Sequence, residues 1–154
     1  MLSLRPMIEA DFETLFEFQA DGESCQMATV PPKTREDYCA HIERIQANPD
    51  NIIKIIDNDG TIVGFAVSWL SDEGRVLGYW IGREFWGQGF ASQGLALLLQ
   101  ELTERPLFAH VADSNLGSKR VLEKNGFALV SGETVSDPNF GRIELLKYQL
   151  SSPN

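Results

Sequence analysis

The fold of this 154-residue chain is decided by two closely spaced stretches, Gly78-Tyr79-Trp80-Ile81-Gly82 and Trp86-Gly87-Gln88-Gly89-Phe90-Ala91-Ser92. The first is typical of the end of a β-strand, and the second leads into a leucine-rich helix predicted from Gly89 to about Glu104. Glycine lets the backbone approach a ligand closely because it carries no Cβ. The first N–H groups of a helix have no partner inside it, and the helix dipole makes them favour an anion. The turn therefore predicts a pyrophosphate site, with a ligand-free strand-to-helix turn as the alternative.

Two other phosphate-binding motifs are excluded by the residues of this segment. A P-loop ends in Gly-Lys-Ser or Gly-Lys-Thr, and the segment has no such ending. A dinucleotide-binding turn needs a third glycine, where this chain has Ser92, and an acidic residue at the end of the next strand, where it has Ala112. The segment therefore matches neither of these nucleotide-binding motifs.

Periodicity and turn residues place a series of elements on each side of the glycine turn. Upstream we predict a strand, two helices separated by a loop, and three antiparallel strands; downstream, a helix, a strand, a short helix and a strand pair. The order βααβββαβαββ indicates one α+β domain, residues 1–154, around a mainly antiparallel sheet. The predicted elements are a strand at 2–5, a helix from Asp11, a loop at 20–33, a helix from Thr34, strands at 52–56, 61–70 and 75–81, a helix from Gly89, a strand at 106–112, a helix at 115–124, and strands at 127–131 and 143–150.

The composition limits the partners and the location. The net charge of −9 argues against nonspecific binding to nucleic acid, and it serves either solubility or the steering of a cationic partner. No apolar run approaches the ~20 residues of a membrane-spanning helix. The N-terminus lacks the pattern of a secretory signal, and two cysteines, Cys25 and Cys39, are too few for a disulfide framework or a zinc site. We therefore expect a cytoplasmic protein that binds neither membrane nor nucleic acid and holds no metal.

Two motifs in this order resemble the GNAT acetyltransferase superfamily. The run from Gly78 to Ala91 is similar to the family's central motif, and Asn115-Leu116-Gly117-Ser118 follows at a suitable distance. The helix that begins with this Asn-x-x-Ser motif ends in Glu-Lys-Asn-Gly-Phe at 123–127, which resembles the RimJ/RimL-like branch that acetylates protein N-termini and other amines. The element order matches the family fold from Leu2 to Leu150. The resemblance implies an acetyl-CoA-dependent N-acetyltransferase.

The resemblance also implies a cofactor site built mostly from backbone. Strands 75–81 and 106–112 would separate at one end, and the pantetheine arm of acetyl-CoA would lie in the gap like an added strand. Amides of the glycine turn would hold the pyrophosphate. A basic cluster that includes Arg120 would meet the phosphates or, alternatively, form a solvated face. The implied cofactor-binding residues are Trp80, Ile81, Gly82, Trp86, Gly87, Gln88, Gly89, Phe90, Ala91, Ser92, Asn115, Lys119 and Lys124.

Three positions depart from the family's commonest choices. Trp86 replaces a Gln or Arg, although related RimJ/RimL-like sequences also have Trp there. Leu122 replaces a tyrosine that serves as general acid in many members, and Val76 replaces a glutamate found in the branch. These departures leave the catalytic groups open.

The catalytic residues are therefore predicted from the remaining candidates. Ser118, carried over from the branch's Asn-x-x-Ser motif, would protonate the leaving thiolate, with a capping role as the alternative. A base is needed because an alkyl amine is protonated at pH 7. Glu73 or Asp72 could act through water, and His110 on strand 106–112 has a suitable ordinary pKa.

We expect the acceptor site to be framed by the loop 20–33, the first two helices and the loop near 137–139. The acidic N-terminal third makes a cationic amine, such as a protein N-terminus or a polyamine, the expected acceptor. Two alternatives are open. A non-catalytic acyl-CoA-binding regulatory module would bind the cofactor without transfer, and a nucleotide-binding protein would bind ATP or NAD as tightly as coenzyme A.

Overall fold

A single seven-stranded sheet forms the centre of residues 1–151, which are the residues that the computed structural model describes. Its strands lie in the order β1-β2-β3-β4-β5-β7-β6, and every neighbouring pair is antiparallel except β4 and β5. The mainly antiparallel α+β prediction is confirmed. The strands are β1 (Leu2–Pro6), β2 (Ile52–Asn58), β3 (Thr61–Ser71), β4 (Gly74–Ile81), β5 (Leu107–Ala112), β6 (Ala128–Asp137) and β7 (Gly141–Leu150).

The helices cover the two faces of this sheet. They are α1 (Phe12–Ala20), α2 (Gly22–Ala28), α3 (Arg35–Ala47), α4 (Phe90–Glu101) and α5 (Leu116–Lys124). Leu95 and Leu98 of α4 pack with Leu122 of α5 against the main core. On the other face, Leu15 of α1 packs with residues of α3 and β2. The apolar spacing of α4 predicted this burial from the sequence.

The parallel pair β4 and β5 separates at one end, as the sequence predicted. Only two register pairs join them, Arg75 with Leu107 and Val76 with Phe108. Beyond these, β5 pairs with β7 along its whole length, while β4 continues beside β3 to Ile81. The gap between the two strands therefore opens toward the end of β4 and the glycine turn.

Two regions of the chain differ from the sequence prediction. The segment predicted as a loop at 20–33 contains α2, because the Asp21 carboxylate caps the Ser24 N–H at 2.9 Å and Thr29 ends the helix with φ 55. The last two strands are longer than the predicted 127–131 and 143–150, and together they form one hairpin with ten residues in each strand. The added part of β6 is exposed and polar, so it lacks the alternation that marks a half-buried strand.

Candidate active site

A cavity of about 620 Å³ lies where β4 and β5 separate. We call it the gap cavity. It is bounded by the end of β4, the glycine turn, the first turn of α4, one face of α5 and part of α2. Its lining includes Met27, Tyr79, Trp80, Ile81, Trp86, Gly87, Gly89, Phe90, Ala91, Ser92, Asn115, Ser118, Arg120, Glu123 and Lys124. All of the residues predicted to bind cofactor are in this lining except Gly82, Gln88 and Lys119.

The free edge of β4 presents its backbone to the gap at alternate residues. The Gly82 N–H donates to the Val63 carbonyl on β3 at 2.9 Å. Because backbone groups alternate in direction along a strand, Trp80 also bonds toward β3, while Tyr79 and Ile81 face the gap. This corrects the expectation for Gly82, whose amide is already engaged. The N–H of Ile81 and the backbone of Tyr79 are the groups that an added extended chain would meet.

The glycine turn has the backbone that its sequence indicates. Gly87 and Gly89 adopt φ of 77 and 82, a left-handed conformation that L side chains rarely take. Gly89 is the N-cap of α4 and provides no side-chain cap, so the first N–H groups of that helix are left for another partner. An anion at this turn would meet backbone N–H groups rather than charged side chains.

Trp86 explains how the turn tolerates the missing Gln or Arg. Its indole N–H donates to the Ile81 carbonyl at 2.9 Å, which ties the turn to the end of β4. The indole also lines the cavity. The residue therefore shapes the turn and provides an apolar wall.

Ser118 lies on α5 at the inner end of the cavity and contacts a tyrosine from β4. Its Oγ is 2.7 Å from the Tyr79 hydroxyl, which also donates to the Ser118 carbonyl at 3.2 Å. Burial raises the pKa of Tyr79 to about 12, so its hydroxyl stays protonated at neutral pH. The side-chain oxygen Oδ1 of Asn115 accepts a hydrogen bond from the Ser118 N–H at 3.2 Å. Asn115 also lines the cavity.

The basic residues of α5 divide into two groups. Lys119 bonds Asp113 at 2.7 Å and lies outside the cavity lining, which corrects its predicted cofactor role. Arg120 and Lys124 line the cavity and are four residues apart, so they share one helix face. Arg120 belongs to the predicted cluster but was not predicted as a binding residue.

Tyr79 is the site residue that sequence reasoning missed, whereas Arg120 was predicted only as a member of the basic cluster. Tyr79 lies within the motif that decided the fold, but its role depends on a helix 39 residues away in sequence. The periodicity of α5 could have indicated Arg120, because it is one helical turn before Lys124.

The predicted bases lie outside the gap cavity. Glu73 and Asp72 are in the turn before β4, and Glu73 is about 20 Å along the strand from Tyr79 at 3.3 Å per residue. An ion pair with Lys147 at 2.6 Å lowers the pKa of Glu73. These positions correct the prediction of Glu73 or Asp72 as the base. His110 is exposed on the sheet face opposite α4, because Ala109 and Val111 point into the core.

A family model for the acetyltransferase (GNAT) domain matches residues 1–128. The chain therefore belongs to the GNAT acetyltransferase family, which confirms the predicted enzyme class. No curated protein sequence matches the chain. None of the helices in residues 1–151 is long and apolar enough to cross a bilayer.

Solved structures of acetyltransferases share the whole fold at low identity. The N-acetyltransferase from Staphylococcus aureus Mu50 is 20% identical, with 98% of each chain covered and a TM-score of 0.80. RimL, a ribosomal-protein alpha-N-acetyltransferase in complex with coenzyme A, is 17% identical over 99% of this chain and 94% of its own, with a TM-score of 0.85. Spermidine N-acetyltransferase from Vibrio cholerae, in complex with coenzyme A and spermine, is 14% identical over 98% and 95%, with a TM-score of 0.83. These likenesses support the fold and agree with acetyl-CoA as the predicted co-substrate.

Proposed function

We propose that this protein is an acetyl-CoA-dependent N-acetyltransferase of the RimJ/RimL-like branch, acting on the primary amine of a small molecule or a protein N-terminus. One observation carries the proposal. The gap cavity joins a free strand edge to a glycine turn at a helix N-terminus, and its inner end holds the Tyr79–Ser118 hydroxyl pair.

The residues around the cavity fit acetyl-CoA part by part. The free edge of β4 at Tyr79 and Ile81 suits the amides of a pantetheine arm. The left-handed glycines and the uncapped start of α4 suit a pyrophosphate. Arg120 and Lys124 add positive charge to a chain that is otherwise acidic, and suit a further phosphate.

Bound acetyl-CoA supplies an acetyl group activated as a thioester. The cavity orients it against the amine, and such positioning is worth effective molarities of ~10⁵ M or more. The Ile81 N–H, which faces the gap, is placed to donate to the acetyl oxygen. Ser118 would give its Oγ proton to the departing sulfur and take a replacement proton from water, and the Tyr79 hydroxyl, 2.7 Å from that Oγ, orients the serine side chain.

His110 is the remaining candidate among the predicted bases, and it would take the amine proton through water because, like Glu73, it lies outside the lining of the gap cavity. His110 lies on β5 two residues beyond Phe108, where pairing with β4 ends, and it is exposed. An imidazole side chain can serve as a general base by this route. Replacement of His110 by Gln should therefore lower kcat below pH 8 and flatten the acidic limb of its pH profile. An unchanged profile would remove His110 from the mechanism.

The first test is calorimetric titration with acetyl-CoA, with ATP and NAD as controls. We expect micromolar binding of acetyl-CoA alone, followed by thiol release when amines are added. Absence of acetyl-CoA binding would refute the proposal.

A non-catalytic acyl-CoA-binding module is the second candidate function. It is favoured by Leu122 at the position of the usual acid and by the distance of Glu73 from the gap cavity. It predicts acetyl-CoA binding without thiol release for any amine, and a single amine that is acetylated at a catalytic rate excludes it.

A further inference from the structure

A second, smaller cavity lies on the sheet face opposite α4, and Trp80 lines both cavities. We call it the α3 cavity. It has a volume of about 170 Å³ and is enclosed by α3, by strands β3 and β4, and by the segment 30–33 that follows α2. The two cavities therefore meet at Trp80.

The walls of the α3 cavity are mostly apolar. An engineered cavity of about 150 Å³ with similar aliphatic and aromatic walls holds benzene, so the α3 cavity has room for a phenyl ring or a branched aliphatic group. The apolar walls come from three separate parts of the chain: Val30 and Pro31, Ile42 and Ile45, and Phe65, Val67 and Trp80.

Buried hydrogen bonds hold these walls in place. Gln19 is buried on α1, and its side chain accepts from the Lys33 N–H at 2.9 Å and donates to the Lys33 carbonyl at 3.2 Å. The Trp80 indole N–H donates to the Phe18 carbonyl at 3.1 Å. The segment 30–33 and the shared indole are thus both fixed to α1. Tyr38, which also lines the cavity, is 4% exposed, and its hydroxyl has no partner within residues 1–151. Such buried hydroxyl groups are rare without a partner.

The charges near the α3 cavity oppose a cationic side chain. Lys33 lines it, and burial together with the charges of Lys33 and Arg44 lowers the pKa of His41, so this imidazole is neutral at pH 7. A positively charged tail would find positive charge and no carboxylate in this lining.

The acidic N-terminal third, which predicted a cationic acceptor, is partly paired within the chain. Four of its carboxylates form ion pairs with arginines: Asp11 with Arg5, Glu13 with Arg35, and Asp21 and Glu23 with Arg83. These four carboxylates are therefore partly compensated by neighbouring arginines.

We propose that the α3 cavity receives the side chain of the acceptor, and that the acceptor is a primary amine with an aromatic or branched aliphatic group a few bonds from its nitrogen. This inference rests on the proposed acetyltransferase function. It identifies the substrate class as an arylalkyl or branched alkyl amine, which includes amino-acid derivatives, and it excludes polyamines as the preferred acceptor.

The test compares 2-phenylethylamine, isoamylamine, n-propylamine and spermidine as acceptors of the full-length protein with acetyl-CoA. We expect kcat/KM for 2-phenylethylamine and isoamylamine to exceed that for n-propylamine and spermidine by at least 10-fold. Val67→Phe fills the cavity and should lower kcat/KM for 2-phenylethylamine at least 10-fold while changing the acetyl-CoA Kd less than 2-fold. Leu70→Phe, at the exposed end of the same strand, is the matched control and should leave both values unchanged.

A binding measurement tests whether the α3 cavity holds the acceptor side chain, independently of catalysis. Calorimetry of 2-phenylethylamine against protein saturated with coenzyme A should show binding that Val67→Phe abolishes and Leu70→Phe keeps, with thermal unfolding confirming that both variants fold. A preference for spermidine, or equal kcat/KM in Val67→Phe and the wild type, overturns this inference while leaving the acetyltransferase function intact. Failure of acetyl-CoA to bind overturns both.

Discussion

Ser118 and Tyr79 form a hydroxyl pair whose two members have separable effects. Ser118→Ala removes the proposed acid, and general acids typically contribute about 10²–10⁴-fold to rate. Tyr79→Phe keeps the ring and removes the two hydroxyl contacts with Ser118, at 2.7 and 3.2 Å, while the acid itself remains, so a smaller loss of about 10-fold is expected. We expect both variants to lower kcat while the acetyl-CoA Kd stays within 2-fold, measured by thiol release and calorimetry.

The pH dependence distinguishes these two residues from a titrating base. Burial raises the pKa of Tyr79 to about 12, so the phenol is protonated across pH 6–10 and should cause no loss of rate there. The pH profiles of activity for wild type and Tyr79→Phe should thus be parallel over this range.

Ser114→Ala is the control for Ser118→Ala and should have wild-type turnover, because Ser114 is an exposed serine outside the cavity lining. Full activity in Ser118→Ala would end its assignment as the acid.

Asp11 controls stability at acidic pH. Its carboxylate is buried, accepts two bonds from the Arg5 guanidinium at 2.8 and 2.9 Å, and accepts the Ile8 N–H at 2.8 Å. The Arg5 contact holds the pKa of Asp11 below its ordinary value. Because the folded pKa is lowered, the stabilisation is present above pH 4 and is lost as pH falls through the folded pKa. Asp11→Asn should lose about 2 kcal/mol at pH 7, by urea unfolding, and differ little from wild type at pH 2. An equal deficit at both pH values would contradict this account.

At the level of elements, α5 carries both Ser118, the proposed acid, and the basic residues proposed to meet a phosphate. Arg120→Gln should weaken coenzyme A binding about 5–10-fold, as expected for one partly exposed charge near a phosphate. Binding of dephospho-coenzyme A should change less than 2-fold if Arg120 meets the 3′-phosphate. Lys119→Gln is the matched control on the same helix, because Lys119 is already paired with Asp113. A loss of equal size for both ligands would assign Arg120 to the pyrophosphate instead.

The helices and strands also show which parts of the fold and of the candidate site can be predicted from the sequence. The heptad-like spacing of leucines predicts α4, and Asn58-Asp59-Gly60 predicts the β2–β3 hairpin, because local chemistry determines both. The short α2 was missed because its seven residues carry no apolar period and its N-cap is the main local signal. The Tyr79–Ser118 contact and the position of Glu73 depend on how distant segments pack, which periodicity does not contain.

At the scale of the whole molecule, Arg75 closes the end of the sheet from which β4 and β5 diverge. It is 7% exposed, and its guanidinium donates to Glu104 at 2.7 Å, to the Asp50 carbonyl at 2.9 Å and to Ser68 Oγ at 3.2 Å. One side chain thus joins the loop before β2, strand β3 and the segment after α4. It is also one of the two residues of β4 that pair with β5.

Arg75→Met should therefore lower the free energy of unfolding by about 2–3 kcal/mol, because the Asp50 carbonyl and Ser68 lose a buried charged donor. Glu104→Gln should cost less, since the Glu104 side chain is half exposed and returns to water. Urea denaturation measures both losses. The gap cavity lies at the other end of β4, so the acetyl-CoA Kd of the folded Arg75→Met variant should stay within 2-fold of wild type. A marked loss of acetyl-CoA affinity at unchanged stability would mean that the closed end of the sheet sets the width of the gap, and that the cofactor cavity depends on a clamp about five residues away along the strand.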